Sequence, residues 1–460
     1  MNVNLEKFFY HFYKTLFSLG LRIYYRKITV AGLDKIPLNE PIITASNHPT
    51  GLMDVFLASH HITRQIKFTA AGALFRDKLQ AAFLTSVGTI PVYRRKDSPG
   101  EQDKNVASFE HCFRELESGG AIGFYPEGTS HPEPWVNPIK TGTARVALQA
   151  EDRNDFGLNL SIVPLGINSL HPGKFRSSVF VNIGDPIEVK KYQQAYQQDS
   201  MEAVSSLTAE IQQGMETCTF HIQDDSVMNI FDSLKVVGVI GINLPGKNIK
   251  SEPEKIYRLI KAWQEKFHIR EINKDRVEDD SLKKIGSISK SLNDIKKRMQ
   301  TYGIVGYPFQ GSKTVLRFIV LVLILILGLP IILPSVLINI FLVTLSKNLG
   351  KKLAGKDFSL IPAGRLMMGT VIFLLFYLLF FIMLIFFVGL LKTLAISTFF
   401  IIGGYLSLWY WEAIKGFGDT WRKIFLWLME KEVMRNLIQE RDDVIELINS
   451  LLILPDEAIG

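Results

Sequence analysis

Between Leu366 and Leu391 the chain carries no charged side chain, and the same holds from Phe318 to Ser346 and from Thr393 to Trp411. A helix that crosses a bilayer needs roughly 20 such residues in succession. A helix buried in a soluble core is the bland alternative. Leu366 to Leu391 is too long for it and apolar all round. At least two of the three segments are therefore expected to span or enter a membrane.

The rest of the chain is patterned differently. From Ile28 to Gly184, short β-branched runs alternate with stretches of helical period. Candidate strands are Ile42 to Ala45, Ile66 to Thr69, Thr89 to Val92, Ala121 to Phe124, Leu160 to Val163 and Val179 to Ile183. Asn105 to Glu117 and Gly142 to Ala150 read as helices between them. This alternation predicts an α/β domain with a mostly buried sheet over residues 28–200. Residues 201–313 are polar and helix-rich. Ile256, Leu259, Ile260, Trp263 and Phe267 there form one apolar stripe, with a helix start at Ser251, Pro253 and Glu254. Residues 273–297 are heavily charged and expected to be solvated.

Before the α/β region, residues 1–27 alternate Phe8, Phe9, Tyr10, Phe12, Tyr13 and Phe17 with Lys7, His11, Lys14, Arg22, Arg26 and Lys27. Two readings stand side by side: an amphipathic helix in a lipid interface, or a helix capping the following domain. No secretory signal is expected at this end. After the uncharged segments, residues 413–460 place Trp421, Phe425, Leu428, Val433 and Leu437 among charges. They read as an amphipathic helix near a membrane surface.

The formal charge of +7 suits anionic headgroups or phosphorylated metabolites. No basic run with interleaved aromatics follows a nucleic-acid module, so nucleic acid is not an expected partner. Cys112 and Cys218 match no zinc or redox spacing and read as inert thiols. His60-His61 lacks companions at ligand spacing, so no metal is expected.

Four short blocks carry the chemistry. The first is Asn47-His48-Pro49 with Asp54. An imidazole takes a proton from an alcohol near neutral pH, and a carboxylate on its other nitrogen fixes the tautomer. Alone, such a pair more often serves structure. Gly88 to Arg94 ends a strand in a cation whose forked donors suit phosphate, or in a merely solvated basic turn with Arg95 and Lys96. Tyr125-Pro126-Glu127-Gly128-Thr129-Ser130-His131, followed by Pro138, Lys140 and Gly142, makes a tight turn. There Glu127 can bond a polyol hydroxyl, and Ser130 and Lys140 can contact phosphate; an ordinary turn with a capping Glu is the alternative. The last block is Val163-Pro164-Leu165-Gly166-Ile167-Asn168. Neither a G-x-S-x-G elbow nor a reactive cysteine accompanies His48, so direct attack by an alcohol is expected over an acyl-enzyme.

In this order the blocks resemble the glycerolipid acyltransferase superfamily, marked by N-H-x4-D, G-x-I-P-V-x-R, F-P-E-G and V-P-x-G. Here five residues separate His48 from Asp54, Tyr125 precedes Pro126, and Ser130-His131 stands where many members have Arg-Ser. With His171-Pro172, Lys174 to Ser177 and Gly184, these departures are similar to the fungal-type glycerol-3-phosphate/dihydroxyacetone-phosphate acyltransferases. The resemblance covers about Ile28 to Val189. It implies His48 as general base with Asp54 its partner. Arg94, Glu127 and Gly128 would hold a glycerol phosphate. Ser130, Lys140, Lys174 and Arg176 are weaker candidates for phosphate or carrier contacts. Gly51 offers the turn with room for the added residue.

The implied reaction moves a fatty acyl chain from acyl-CoA or acyl carrier protein to glycerol 3-phosphate, with no cofactor beyond that donor. The alternatives are 1-acylglycerol 3-phosphate (a lysophosphatidate) as acceptor, or a non-catalytic lipid-binding membrane protein that has kept the fold. Such a domain belongs in the cytoplasm. The loop with Lys347, Lys351, Lys352, Lys356 and Arg365 against Asp357 belongs there too. Both hold if the membrane region, residues 314–412, begins with a re-entrant or kinked segment over 318–346 that bends at Pro330 and Pro334. A single span is the alternative. Residues 366–391 and 393–411 would then form a hairpin turning at Lys392, with Trp409, Tyr410 and Trp411 at the interface.

Overall fold

The computed structural model describes residues 3–94, 100–244, 249–272, 279–355 and 358–452. Arg95, Lys96, Lys356, Asp357, residues 273–278 and the side chains of Lys7, Phe8, Phe9, Tyr10 and Phe267 lie outside the described set. Contacts divide the chain into two compact units, residues 1–221 with 350–370, and residues 222–349 with 371–460.

The first unit runs α1 (Val3–Tyr24), β1 (Lys27–Ala31), β2 (Ile42–Ser46), α2 (Leu52–His61), β3 (Ile66–Ala71), α3 (Lys78–Ser86), β4 (Ile90–Val92) and α4 (Asn105–Glu117). It continues through β5 (Ala121–Phe124), α5 (Gly142–Asp152), β6 (Ser161–Ser169), β7 (Ser178–Ile183), β8 (Ile187–Glu188), α6 (Gln193–Gln198) and α7 (Ser200–Cys218). The strands form one sheet in the order β1-β7-β6-β2-β5-β3-β4, with β8 beside β6. β2 pairs in parallel with β5 and β6, and β3 with β5 and β4. Only β6 runs antiparallel to β7 and β8.

Parallel strands covered on both faces read as continuous apolar runs, and β2 and β5 are buried at every position. The pleat sends Ile43, Ala45, Ile122 and Ile162 toward α4, α5 and α7. It sends Ile42, Ala121 and Val163 toward Ala58 and Ile62 at the end of α2. β6 extends past the expected Val163 to Ser169. Its antiparallel partner changes from β8 at Ser161 and Ile162 to β7 from Leu165 onward, so Pro164, without an N–H, falls at the junction. Gly166 follows because α7 ends against it: a Cβ there would stand 2.0 Å from the Cys218 carbonyl oxygen.

Leu207, Ile211 and Met215 of α7 pack into the sheet's core, past the expected domain end at residue 200. On α1, Phe17, Leu21, Tyr24 and Tyr25 are buried with Met53, Leu57, Ile167 and Val179, while Phe12 and Leu19 face outward. The helix therefore caps the core with one face and leaves apolar groups on the other.

The second unit contains α8 (Asp225–Val237), α9 (Glu252–Ile272), α10 (Asp279–Thr301), α13 (Leu390–Met429), α14 (Lys431–Leu452) and most of α11 (Ser312–Ala354) and α12 (Ile361–Val388). A capping box starts α9: the Glu254 N–H donates to Ser251 Oγ at 3.4 Å, and the Lys250 N–H donates to Glu254 Oε2 at 2.9 Å. α14 departs from the expected surface helix. Met434, Leu437, Ile445 and Ile448 are buried, and α14 packs on α10, which also packs on α8. The exposed Trp421, Phe425 and Leu428 belong instead to the end of α13.

Among the described residues, four helical segments are long and apolar enough to cross a membrane: Ser312–Pro330, Ile332–Ala354, Ile361–Val388 and Leu390–Met429. α12 and α13 meet at Gly389, at φ +77°, three residues before the expected turn at Lys392. They run antiparallel, with Tyr377 Oη donating to the Phe400 carbonyl at 3.2 Å. α11 lies antiparallel to α13, with Leu321 near Gly416 and Gly328 near Tyr410 ahead of its prolines and Ser335 against Gly403 just after them. Beyond them it lies antiparallel to α12. Asn339 meets Tyr377 at 3.0 Å, and Gly350 touches Gly364. α11 carries Pro330 and Pro334 inside the helix, where each withholds an N–H group from the helical ladder, and its two candidate spans divide there.

Candidate active site

The blocks of interest follow the carboxyl ends of neighbouring parallel strands: His48 after β2, Glu127 after β5 and Arg94 after β4. Open α/β sheets place their ligand crevice at this edge.

Asn47 anchors the first turn sideways. Its Nδ2 donates to the Ile167 carbonyl at 3.1 Å, and its Oδ1 accepts from the Ile167 N–H at 2.7 Å. The side chain thus imitates one more residue of the β2–β6 ladder. Gly51 follows at φ +60°, and a Cβ there would meet the Ser359 carbonyl oxygen at 2.8 Å. This turn absorbs the fifth intervening residue and starts α2, whose first turn presents Asp54.

His48 Nδ1 lies 2.9 Å from Asp54 Oδ2. Asp54 is wholly buried and accepts further bonds from the Thr50 N–H, at 2.8 Å, and from the Thr50 hydroxyl. The His48 ring is a fifth exposed and stacks on Tyr125, centroids 3.9 Å apart. Burial, with the Asp54 charge adding to it, pushes the Tyr125 phenol well above its ordinary range. Tyr125 is therefore a neutral platform, and its buried Oη makes no hydrogen bond.

A second imidazole–carboxylate pair sits beside the first. His131 Nε2 lies 2.6 Å from Glu127 Oε2, which also accepts from the Asn137 N–H at 2.8 Å. Among the described residues, Glu127 Oε1 and His131 Nδ1 are buried without partners. The hydrogen bond to Glu127 holds His131 above the usual imidazole value, against the opposing effect of burial. The two pairs are stitched together. The His131 N–H and the Ser130 hydroxyl both donate to the His48 carbonyl, at 3.2 and 2.6 Å, and Ser130 Oγ accepts from the Gly51 N–H.

Arg94 Nη1 donates to the Gly128 carbonyl. Gly128 sits at φ +67°, and a Cβ on it would stand 2.8 Å from Lys140 Nζ. The structure thus brings together His48, Asp54, Arg94, Glu127, Gly128, Ser130 and Lys140. The Ser130 hydroxyl bonds within the loop, which makes it a positioning group here. Lys174 and Arg176 stand apart on the β6–β7 loop. There the Arg176 N–H donates to the Tyr24 carbonyl at 2.7 Å, and Tyr24 Oη donates to the Gly173 carbonyl at 2.6 Å. Asn47 and His131 are the site residues that the sequence did not assign. The pairing of His131 with Glu127, four residues apart, was the available signal.

The sheet sets these two imidazole–carboxylate pairs beside a turn that Arg94 and Lys140 approach. Residues 27–168 match the family model described as Acyltransferase. It is similar to glycerol-3-phosphate O-acyltransferase 2 of Saccharomyces cerevisiae, 33% identical over 32% of this chain and 20% of that protein. Glycerol-3-phosphate O-acyltransferase 1 of the same yeast is 33% identical over 28% of this chain and 17% of its own length. The chloroplastic 1-acyl-sn-glycerol-3-phosphate acyltransferase BAT2 of Brassica napus is 26% identical over 30% of this chain and 39% of that protein. The match spans about a fifth of the yeast relatives. Among solved structures, the 1-acyl-sn-glycerophosphate acyltransferase PlsC of Thermotoga maritima is 20% identical over 43% of this chain and 79% of that one, with a TM-score of 0.30.

Proposed function

We propose that the protein is a membrane-bound acyltransferase that moves a fatty acyl chain from a thioester donor, acyl-CoA or acyl carrier protein, to a hydroxyl of glycerol 3-phosphate. The observation that carries this reading is the His48–Asp54 pair, set beside a turn on which Arg94 and Lys140 converge. Asp54 engages Nδ1, which leaves Nε2 as the base. The acceptor oxygen attacks the thioester carbonyl while its proton passes to Nε2. The new C–O bond forms as the C–S bond breaks, and the imidazolium returns the proton to the leaving thiolate. Asp54 steadies the imidazolium meanwhile. Glu127 Oε1 accepts from the acceptor's other hydroxyl, and Arg94 and Lys140 attract its phosphate.

The catalytic domain faces the cytoplasm in this proposal. Lys347, Lys351, Lys352 and Arg365 flank the α11–α12 connection, as cytoplasmic loops do. A re-entrant α11 and the α12–α13 hairpin each return the chain to the side it left. From Gly389 to Trp411, α13 covers about 33 Å, close to a hydrocarbon thickness.

The test is acyl transfer by the full chain in nanodiscs, with glycerol 3-phosphate and 1-acylglycerol 3-phosphate offered separately. Turnover is expected with the first acceptor. His48→Ala is expected to lower it about 10²–10⁴-fold without moving the melting temperature. Turnover with the second acceptor alone would reassign the substrate, and an active His48→Ala would remove the proposed base.

A further inference from the structure

The β6–β7 loop presents Lys174, Phe175 and Arg176 in succession, with Lys174 and Phe175 exposed and Phe175 46% so. An exposed phenylalanine between two cations is costly at a purely aqueous surface and suited to a bilayer interface, where rings sit at headgroup depth. The loop is not a loose tip. Its ring meets Tyr24 edge-on at 5.5 Å, and the Arg176 backbone is bonded to the end of α1. Its location is specific as well. A Cβ on Gly173 would stand 3.1 Å from Pro362, in the first turn of α12, one of the segments long and apolar enough to cross a membrane.

More cations gather at this helix foot. Arg365 lies close enough to Tyr24 for its charge to act on the phenol, and it is exposed. Gly350 touches the Arg365 backbone, which brings the exposed Lys351 and Lys352 to the same level of α12. Ile23 and Leu19 add outward-facing apolar groups on α1. Cations and apolar groups thus ring the point where α12 leaves the sheet domain.

We propose that the β6–β7 loop is a bilayer-contacting element, Phe175 entering the interface while Lys174, Arg176 and Arg365 gather anionic phospholipid headgroups around the foot of α12. Lys174 and Arg176 then serve the surrounding lipid and not the acyl acceptor. This reading requires only that α12 is in a membrane and stands whether or not the acyl-transfer proposal holds.

Both cysteines are buried, so Phe175→Cys in the full chain accepts a thiol-reactive fluorophore at one place. The labelled protein goes into nanodiscs containing equal fractions of spin-labelled phosphatidylglycerol or spin-labelled phosphatidylcholine. Stronger quenching by the anionic lipid is expected, and the preference should fall about fivefold when Lys174→Gln or Arg365→Gln removes one charge. Millimolar inorganic phosphate should leave it unchanged. Absent quenching would place the loop in water, equal quenching by the two lipids would remove the headgroup preference, and loss of the preference to free phosphate would make this a soluble-anion site. Each of those results overturns the proposal.

Discussion

Two imidazole–carboxylate pairs sit side by side in this molecule, and they are built for different tasks. Asp54 is buried with both oxygens bonded, and its histidine is a fifth exposed above a neutral aromatic platform. Glu127 is buried with one oxygen unbonded, and its histidine is bonded through the backbone to the neighbouring pair. The first arrangement fixes a tautomer and leaves a ring nitrogen outside the bond. The second holds its ring as a brace and keeps a carboxylate oxygen in reserve. Residue type alone does not decide the role. What the carboxylate still has free, and what the ring faces, does.

The contrast breaks most visibly at Asp54. Asp54→Asn keeps the shape but lets the wrong tautomer form, and kcat should fall about 10²–10⁴-fold. A loss below tenfold would mean the ring needs no carboxylate. Asn47→Ala tests the scaffold under that pair. It leaves the Ile167 N–H and carbonyl unanswered between two strands, which should destabilise the sheet domain by about 1–3 kcal/mol in denaturant titrations. An unchanged midpoint would show that water replaces the amide.

His131 offers a sharper, smaller test. Its bond to Glu127 raises the folded-state value above the ordinary imidazole value of about 6.5. The stability it contributes is therefore complete below the unfolded value and lost as pH rises through the folded one. Melting temperature should decline across that window in the parent, and His131→Gln, which keeps a donor toward Glu127, should flatten the decline. Parallel pH profiles would reduce His131 to an ordinary turn residue. Tyr125→Phe is the smallest change. The buried Oη has no partner to lose, so stability should shift by less than about 1 kcal/mol while the platform under His48 persists. A large loss would reveal a bond to that hydroxyl.

Much of this was legible beforehand because β2, β5 and the helices α4 and α5 are local patterns: apolar runs of strand length and stripes of helical period. The His48–Asp54 pair lay within one turn, so spacing alone brought it together. β1 was not legible, since Lys27 to Ala31 becomes a strand only through β7, far along the chain. The bonds of Asn47 to Ile167 and of Ser130 to His48 cross the sheet edge and leave no periodic trace. Lys174 and Arg176 were candidates for phosphate or carrier contacts only through the family resemblance; the path of their loop to Tyr24 and Pro362 has no counterpart in the local pattern. For α14, the apolar positions were plain, but the surface they cover belongs to α10, about 150 residues earlier, and its polar bonds reach the loop after α8, farther back still.

That last separation carries a consequence for how the protein is made. Asn449 bonds the Asn243 N–H and the Gly241 carbonyl, and Arg441 reaches the Ile240 carbonyl, so the loop after α8 is completed by the final helix. A nascent chain exposes the matching faces of α8 and α10 throughout the synthesis of α11, α12 and α13. The helical unit can close only once insertion has brought α14 back to meet them, which ties its maturation to the integration of everything between.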